Sequence, residues 1–465
     1  MPEEPGEAEA SEGTGAWAPG RRRFLGGAAA LGGAAALGGA LALGGTERAF
    51  AATPHGGPAQ PLALTHATLI AAPGAQPPSP GMTVLVRDGR IETVGRTAEV
   101  PAPADARVVD LRGKYVIPGL IALQVSGSGA DEPSGGTTAR LSALKGVRKG
   151  VLKGVTTVAG PGSPPVDGSP ALWPGSSVEA RDETAARRAV RRAVAGGAAF
   201  VGVHPRLSRA AYLALADEAR RRHIPYGGHC PDAVSPAEAS DAGQRIVEHL
   251  HALLLAASTR DGEIRHGLAR IKDPRTDAGP DRYRHWLRQI RRLEWTAVRS
   301  YYPDRADRLF DRLAANGTWI APSLAAHRFL EAPDSTDADT TDADTTDADT
   351  PYLQGIRAHR LHLVAELHRH GVPVLAAGTH ADGLHEEMEQ LAGAGLGAAE
   401  ALRAATAGPA RALGLADAIG TVGPGRAADL VVLDADPLRD ITAVRRIASV
   451  VVQGRLIGEP GVHGY

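Results

Sequence analysis

The sequence predicts an α/β fold in which strands and helices alternate through the body of the chain, while both ends are rich in β-structure. Between 154 and 380, short β-branched runs recur between longer stretches rich in alanine and arginine, a pattern typical of parallel βα units. The segments 62–95 and 427–458 carry apolar runs separated by turn residues. We therefore expect a barrel or a doubly wound sheet whose two flanking ends meet in one sheet.

The N-terminal β unit contains the run MTVLVRDGRIETVG at 82–95, in which Asp88 and Gly89 separate two β-rich halves. An Asp-Gly pair in this position predicts a tight hairpin turn. The C-terminal unit contains AADLVVLDA at 427–435 and ASVVVQGRLIG at 448–458. Each run is long enough for one strand or for a hairpin.

The body of the chain contains six strand-like runs, each followed by a helix-like or turn-rich stretch. These runs are GVTTVAG at 154–160, AAFVGVHP at 198–205, HIPYGGHCP at 223–231, QRIVEHLH at 244–251, GTWIAPSL at 317–324 and GVPVLAAGTH at 371–380. The segment 259–313 is dense in arginine and aromatic residues and predicts a pair of amphipathic helices or a lid over the mouth of a barrel.

Charge and cysteine content narrow the class of protein. The 465 residues carry 51 Lys and Arg against 52 Asp and Glu, a formal net charge of −1. This balance argues against a nucleic-acid partner and leaves a small-molecule substrate or ligand as the expected partner. With Cys230 as the single cysteine, no intrachain disulfide can form.

The first 51 residues have the pattern of a twin-arginine export signal. Arg21 and Arg22 precede Phe24 and Leu25, an Ala/Gly/Leu run follows, and Ala49-Phe50-Ala51 supplies a small-residue cleavage site. We expect an extracellular or cell-envelope protein without a stable membrane span after cleavage; retention of the run as an anchor is the alternative.

Between 334 and 350 the pentad TDADT occurs three times in tandem. The repeats add six aspartates and no apolar residue larger than alanine, so they cannot bury apolar surface. The sequence therefore predicts a disordered, acidic loop inside the body of the chain.

Five stretches together resemble the amidohydrolase superfamily, in its imidazolonepropionase-like, metal-dependent branch. They are GKYVIPGLI at 113–121, GVTTV at 154–158, GHCPDAVSPAEASDAGQRIVEHL at 228–250, AAGTHADGLHEE at 376–387 and TAGPARALGLADAIGTVGPGRAADLVVLDADPL at 406–438. The resemblance implies a (β/α)8 TIM-like barrel over 118–415 and a composite β-sandwich built from 60–117 and 416–460. It also implies hydrolysis of C–N bonds in amide or cyclic amide substrates with a divalent metal.

Several positions depart from the pattern of this family. Where the family has His-x-His on its first barrel strand, the chain reads Ala122, Leu123, Gln124, Val125, Ser126, and Gly202 stands where the family has a bridging lysine. The histidines of the fifth and sixth strands remain as His229 and His249. The catalytic aspartate of the eighth strand is replaced by His380.

Two interpretations remain open. In the first, His229, His249 and His380 bind one divalent ion, zinc above others, in a pocket lined by Gln124, Ser126, Gly202 and His204. The catalytic residue is then unassigned, and the candidate general base is Asp382, Glu386 or a histidine that does not bind the metal. In the second, the fold has lost catalysis and metal and acts as a small-ligand-binding or structural protein. Association into a homo-oligomer is compatible with both.

Three other residues favour a structural interpretation. His251 and His385 are expected to pack at a strand end and at a helix start. Cys230 neighbours His229, but consecutive residues of a strand point to opposite faces, which argues against a thiol–imidazole pair.

Overall fold

The computed structural model describes residues 60–123, 138–140, 153–160, 163–172, 176–271, 280–330, 350–378 and 381–458. Gln124, Ser126 and His380 lie outside these ranges, as do the signal at 1–51 and nearly all of the acidic repeat at 334–350. The interpretations placed on those residues stay predictions. None of the helices in the described ranges combines the length and apolar character needed to cross a membrane.

Both ends of the chain enter one eight-stranded sheet. Its strands are β1 (Leu62–Leu69), β2 (Ser79–Arg87), β3 (Arg90–Arg96), β4 (Arg107–Asp110), β5 (Tyr115–Pro118), β15 (Leu430–Leu433), β16 (Ile447–Val452) and β17 (Arg455–Ile457). The order is β17-β16-β15-β5-β1-β2-β3, with β4 paired to β1. The predicted hairpin is confirmed, because Asp88 and Gly89 both have positive φ between paired β2 and β3.

The two ends join where β15 pairs antiparallel with β5, with Leu430 opposite Pro118 and Val432 opposite Val116. The expectation of one shared sheet is therefore confirmed. Leu64, Val84 and Leu430 belong to its fully buried apolar core. The pairing describes one sheet with irregular register between β1 and β2, and the second facing layer of a sandwich is not confirmed.

Parallel strands form the body of the molecule. They are β6 (Leu120–Leu123), β8 (Val155–Ala159), β9 (Val166–Asp167), β10 (Val178–Glu179), β11 (Val201–Val203), β12 (Tyr226–His229), β13 (Ile246–Glu248) and β14 (Trp319–Ala321). β6 pairs with β8, the others follow the order β10-β9-β11-β12-β13-β14, and a short antiparallel strand, β7 (Thr138–Arg140), borders β8.

Single bridges extend this arrangement. Ile320 of β14 bridges Val374, and Ala377 bridges Leu123 of β6, so the segment 374–377 occupies the place of a further strand. Within the described strands, no pairing joins β8 to the β9–β14 sheet. The fold is mixed α/β with several sheets, and the described pairing does not close a barrel.

Helices follow the strands in the predicted alternation. They are α1 (Glu183–Ala195), α2 (Arg209–Arg221), α3 (Pro236–Asp241), α4 (His251–Ala256), α5 (Asp261–Ala269), α6 (Pro280–Arg299), α7 (Pro303–Ala315), α8 (Leu324–Leu330), α9 (Thr350–Arg369), α10 (Ala381–Leu391), α11 (Gly397–Ala404) and α12 (Ala407–Ala412). Capping side chains begin several of them; Asp182, for example, accepts the N–H of Ala185 at 2.7 Å. The arginine-rich segment forms α5, α6 and α7.

Candidate metal centre

Two adjacent parallel strands deliver the central donor side chains. β12 ends at His229, which pairs in register with Glu248 at the end of β13, and His249 follows directly. The carboxyl ends of parallel strands lie at the same edge of a sheet, where ligands bind in α/β proteins. All three residues are buried.

The local sequence of β12 explains how closely it approaches β11. A Cβ on Gly228 would lie 2.4 Å from the carbonyl oxygen of Val203, and Gly228 has a φ of +124°. Only glycine fits this position, and the Gly227-Gly228 pair therefore lets His229 emerge close to the end of β11.

The donor atoms of His229, Glu248 and His249 lie within 4.8 Å of one another. The rings of His229 and His249 have centroids 4.7 Å apart. Other imidazoles extend the cluster in both directions: His204 lies 5.4 Å from His229, and His327 lies 5.0 Å from His249. His251 is more distant from His249, at 6.1 Å.

Glu248 and His249 are consecutive and yet reach the same cluster, against the alternation of a regular strand. His249 has a φ of 66°, the left-handed region that non-glycine residues rarely adopt. Its N–H donates to the carbonyl of Ala321 at 2.8 Å, which ties this turn to the end of β14. Sequence reasoning missed Glu248 because it assumed regular strand geometry, and no residue type signals the positive φ.

Cys230 follows the predicted alternation. Its thiol is buried and donates to the carbonyl of Val234 at 3.4 Å, in a narrow cavity that α3 and α4 help to line. Burial raises the pKa of Cys230 to about 12, so the thiol stays protonated and is a poor nucleophile. The prediction against a thiol–imidazole pair is confirmed.

Burial keeps the clustered imidazoles neutral. Desolvation lowers the pKa values of His229, His249 and His327 well below the ordinary value, and neighbouring histidines lower them further. Desolvation also lowers the pKa of His251 to about 3. A neutral imidazole offers a lone pair, the form in which histidine binds a metal.

His204, predicted as a pocket residue, lies at the end of β11 beside the cluster. Its Nδ1 is 3.5 Å from Oδ2 of Asp167, a fully buried carboxylate. The N–H groups of Gly168 and Leu172 donate to Asp167 at 2.8 and 2.7 Å and hold it in place. A carboxylate behind an imidazole is a common way to orient the ring.

Gly202, the other described pocket residue, pairs with Gly227 inside the sheet and has no side chain that could bridge two metal ions. The structure therefore brings together His204, His229 and His249 of the predicted site.

His327 and Arg360 are residues of this region that sequence reasoning missed. His327 lies on α8, just after β14, and is buried. Arg360 of α9 is also buried and pairs with Glu294 through contacts of 3.0 and 3.1 Å. Its charge lowers the pKa values of His249, His251 and His327. The sequence carried no signal for His327, because its position depends on the contact between α8 and α10.

The proposed general bases have different surroundings. Glu386 is half-buried and pairs with Arg328 at 3.2 Å, whereas the side chain of Asp382 lies outside the described atoms. The next residue, Glu387, is fully buried and accepts the N–H of Ala325 at 2.8 Å. Burial raises the pKa of Glu387 to about 7, although backbone N–H groups at the start of α8 oppose the rise.

His385 was expected to be a polar residue at the start of a helix. It lies inside α10 instead and is buried. His251 was expected to pack in the interior; it is buried and is the first residue of α4.

The chain is similar to one protein family and to several solved structures. The family model of the amidohydrolase family matches residues 116–457. A protein described as a prolidase from Bifidobacterium longum is 22% identical, with 87% of this chain and 96% of that chain covered and a TM-score of 0.59. Bottromycin amidohydrolase is 21% identical, with 86% and 87% covered and a TM-score of 0.59.

Molinate hydrolase is 18% identical, with 87% of this chain and 96% of that chain covered and a TM-score of 0.54. At these identities the solved structures share the fold with this chain. No protein of curated function matches the chain.

Proposed function

Because the chain belongs to the amidohydrolase family, we propose that it is a metal-dependent hydrolase of C–N bonds in amide or cyclic amide substrates. The observation that carries this proposal is the buried set of His229, Glu248 and His249, whose donor atoms lie within 4.8 Å of one another. The names of two similar structures, a prolidase and an amidohydrolase, support the same general chemistry.

The donor set suits a divalent metal. Two imidazoles and one carboxylate form a recognised catalytic zinc set, in which a fourth position stays open for water or substrate. The neutral imidazoles supply lone pairs, and Glu248 supplies one negative charge that offsets part of the charge of the ion. A bound ion would polarise a substrate carbonyl and make water more acidic.

The surrounding residues position and isolate this set. The left-handed backbone of His249 directs its ring and the Glu248 carboxylate to one side. Asp167 lies beside His204, with its Oδ2 3.5 Å from Nδ1, and the ring of His204 neighbours that of His229. Burial of all these groups excludes water, which strengthens their interaction with a cation or a polar substrate. His380 is proposed to face the same mouth from the eighth strand.

We also propose the finer architecture that the family implies. The pairing through 374–377 to β6 supports an eight-stranded barrel, and the end sheet supports a composite β-sandwich. A crystal structure of the mature chain would distinguish a closed barrel with a β-sandwich from open sheets, whereas small-angle X-ray scattering would not. An open sheet without pairing between β8 and β9 would contradict the barrel.

Metal content of the purified mature chain, expressed without a metal-binding tag, tests the proposed function. We expect about one equivalent of zinc or a similar ion by elemental analysis, and loss of most of it in His229→Ala. His368→Ala removes an exposed histidine of α9 and serves as the matched control, which should keep its metal.

Near-stoichiometric metal in His229→Ala would contradict the donor assignment. A wild-type chain that stays empty after zinc is offered would instead favour the second function, a small-ligand-binding protein without catalysis. Gly202 favours this alternative, because it removes the lysine that bridges two ions in the family.

A further inference from the structure

His327 is a buried imidazole for which the described structure provides no hydrogen-bond partner. Its side chain is 2% exposed, and within the described residues neither Nδ1 nor Nε2 makes a hydrogen bond. Buried polar groups in folded proteins are nearly always bonded, and leaving one unbonded costs about 1–3 kcal/mol. A ring in this state therefore implies a partner such as a bound ion.

The position of His327 is fixed by the surrounding backbone. Its N–H donates to the carbonyl of Ser323 at 3.1 Å, and Ser323 makes the turn out of β14 with a φ of 55°. The buried carboxylate of Glu387 holds the N–H of Ala325 and so anchors the first turn of α8 to α10. The ring is thus presented to the cluster by a rigid turn.

Neighbouring rings have the spacing of imidazoles that share an ion, although His327 lies outside the set of His229, Glu248 and His249, whose donor atoms are within 4.8 Å of one another. With metal–nitrogen bonds of about 2.0–2.1 Å and a tetrahedral arrangement, two imidazoles on one zinc ion have centroids roughly 5 Å apart. The centroids of His229 and His249 are 4.7 Å apart, and those of His249 and His327 are 5.0 Å apart. The planes of His249 and His327 are inclined by 78°, so the rings do not stack.

We propose that His327 is a further ligand of the metal and that its ring turns toward the ion when His229, Glu248 and His249 hold it. The centre then lies along the ends of β12, β13 and β14, on one side of the parallel strands. This placement does not use the first, fourth and eighth strands, where the chain lacks the side chains that the family uses. The proposal rests on the proposed function, because it names the complete donor set of that site.

The charges around this set suit a divalent cation. Glu248 is the carboxylate among the four donors, and the three imidazoles are neutral. Arg360 lies near His327 and His249, but the buried carboxylate of Glu294 neutralises it. Arg291 is a second cation near His327, so Glu248 supplies the negative charge that a divalent ion requires.

The test compares His327→Leu with His368→Leu in the full mature chain, stripped of metal; His368 is an exposed histidine of α9. Leucine resembles histidine in volume and removes the unbonded nitrogens, so the fold should be kept. Zn²⁺ affinity is measured by competition with a chromophoric chelator, and Co²⁺ coordination by visible absorption. We expect His327→Leu to bind Zn²⁺ at least about tenfold more weakly, with an altered Co²⁺ spectrum, and His368→Leu to keep both.

Wild-type affinity, within about twofold, and an unchanged Co²⁺ spectrum in His327→Leu would overturn the proposal while leaving the proposed function intact. An equal loss in His368→Leu would also overturn it, since the loss would then not depend on where the histidine lies. A wild-type chain that binds neither ion would overturn both proposals. If His327→Leu fails to fold, His327→Gln replaces it, with the same outcomes.

Discussion

The end sheet and the metal centre are buried to a similar degree but are built from opposite chemistry. In the end sheet, Leu64, Val84 and Val432 are fully buried, and their neighbours are apolar. At the ends of β12 and β13, burial of the same depth encloses imidazoles and carboxylates. Burying apolar surface stabilises a fold, whereas burying polar groups opposes it unless they are bonded.

The difference indicates which region maintains the fold and which carries function. The end sheet joins β5 to β15 and so holds the two ends of the chain together. The cluster of histidines contributes little to the free energy of folding by itself, and the proposed metal would add bonds to these buried groups. Sites that cost stability are common where activity is located.

The largest expected effect is on the free energy of unfolding, which a mutation in the end sheet should lower and a mutation in the metal centre should not. Leu64→Ala should lower the free energy of unfolding by about 2–5 kcal/mol, because it leaves a cavity in the core of the end sheet. Chemical denaturation of the metal-free chain, followed by circular dichroism, measures this loss. His327→Leu in the same metal-free chain is the control and should lose no stability. A larger loss in His327→Leu than in Leu64→Ala would break the comparison.

A smaller effect is expected on the free energy of unfolding as the pH falls. Burial lowers the pKa of His359, on α9, to about 4, and His362 lowers it further. An unfolded imidazole titrates near pH 6.5, so the unfolded chain binds more protons between about pH 6.5 and 4. The contribution of this residue to stability is therefore present above pH 6.5 and is lost as the pH falls through this window.

His359→Gln should make the free energy of unfolding depend less steeply on pH between 6.5 and 4, by less than one proton taken up. The measurement is a series of denaturation curves across this range. The control is His66→Gln, which replaces a partly exposed imidazole of the end sheet. Parallel pH curves for wild type and His359→Gln would contradict the role of burial.

The smallest effect is expected for the acidic repeats. Deleting 336–350 should change the free energy of unfolding by less than about 0.5 kcal/mol, because the segment contains no large apolar side chain to bury. Thermal unfolding of the deletion variant checks this, with Leu64→Ala as the positive control. A drop as large as that of Leu64→Ala would show that the repeats are part of the packed structure.

Much of the fold follows from local patterns in the sequence. The Asp88-Gly89 turn, the strand at 430–433 and the parallel strands ending at His229 and near His249 lie where the runs predict them. Side-chain alternation also places Cys230 away from His229. These features depend on neighbours a few residues apart, which is the range that a sequence pattern describes.

Glu248 and His327 could not be found in this way. Glu248 reaches the cluster because His249 adopts a left-handed backbone, and the turn it makes is tied to Ala321 on the next strand. His327 reaches the cluster because Glu387, sixty residues further along the chain, anchors the first turn of α8. Both depend on contacts between distant segments, for which no residue type is a signal.

The sequence by itself determined the strand–helix alternation, the shared sheet of the two ends, and the place of His229 and His249 at neighbouring strand ends, because these rest on residue type, period and motif. The tertiary structure alone decided which other side chains join them. A metal site needs donor atoms within a few ångströms of one another, and that proximity is set by the register between β12 and β13 and by the packing of α8 on α10.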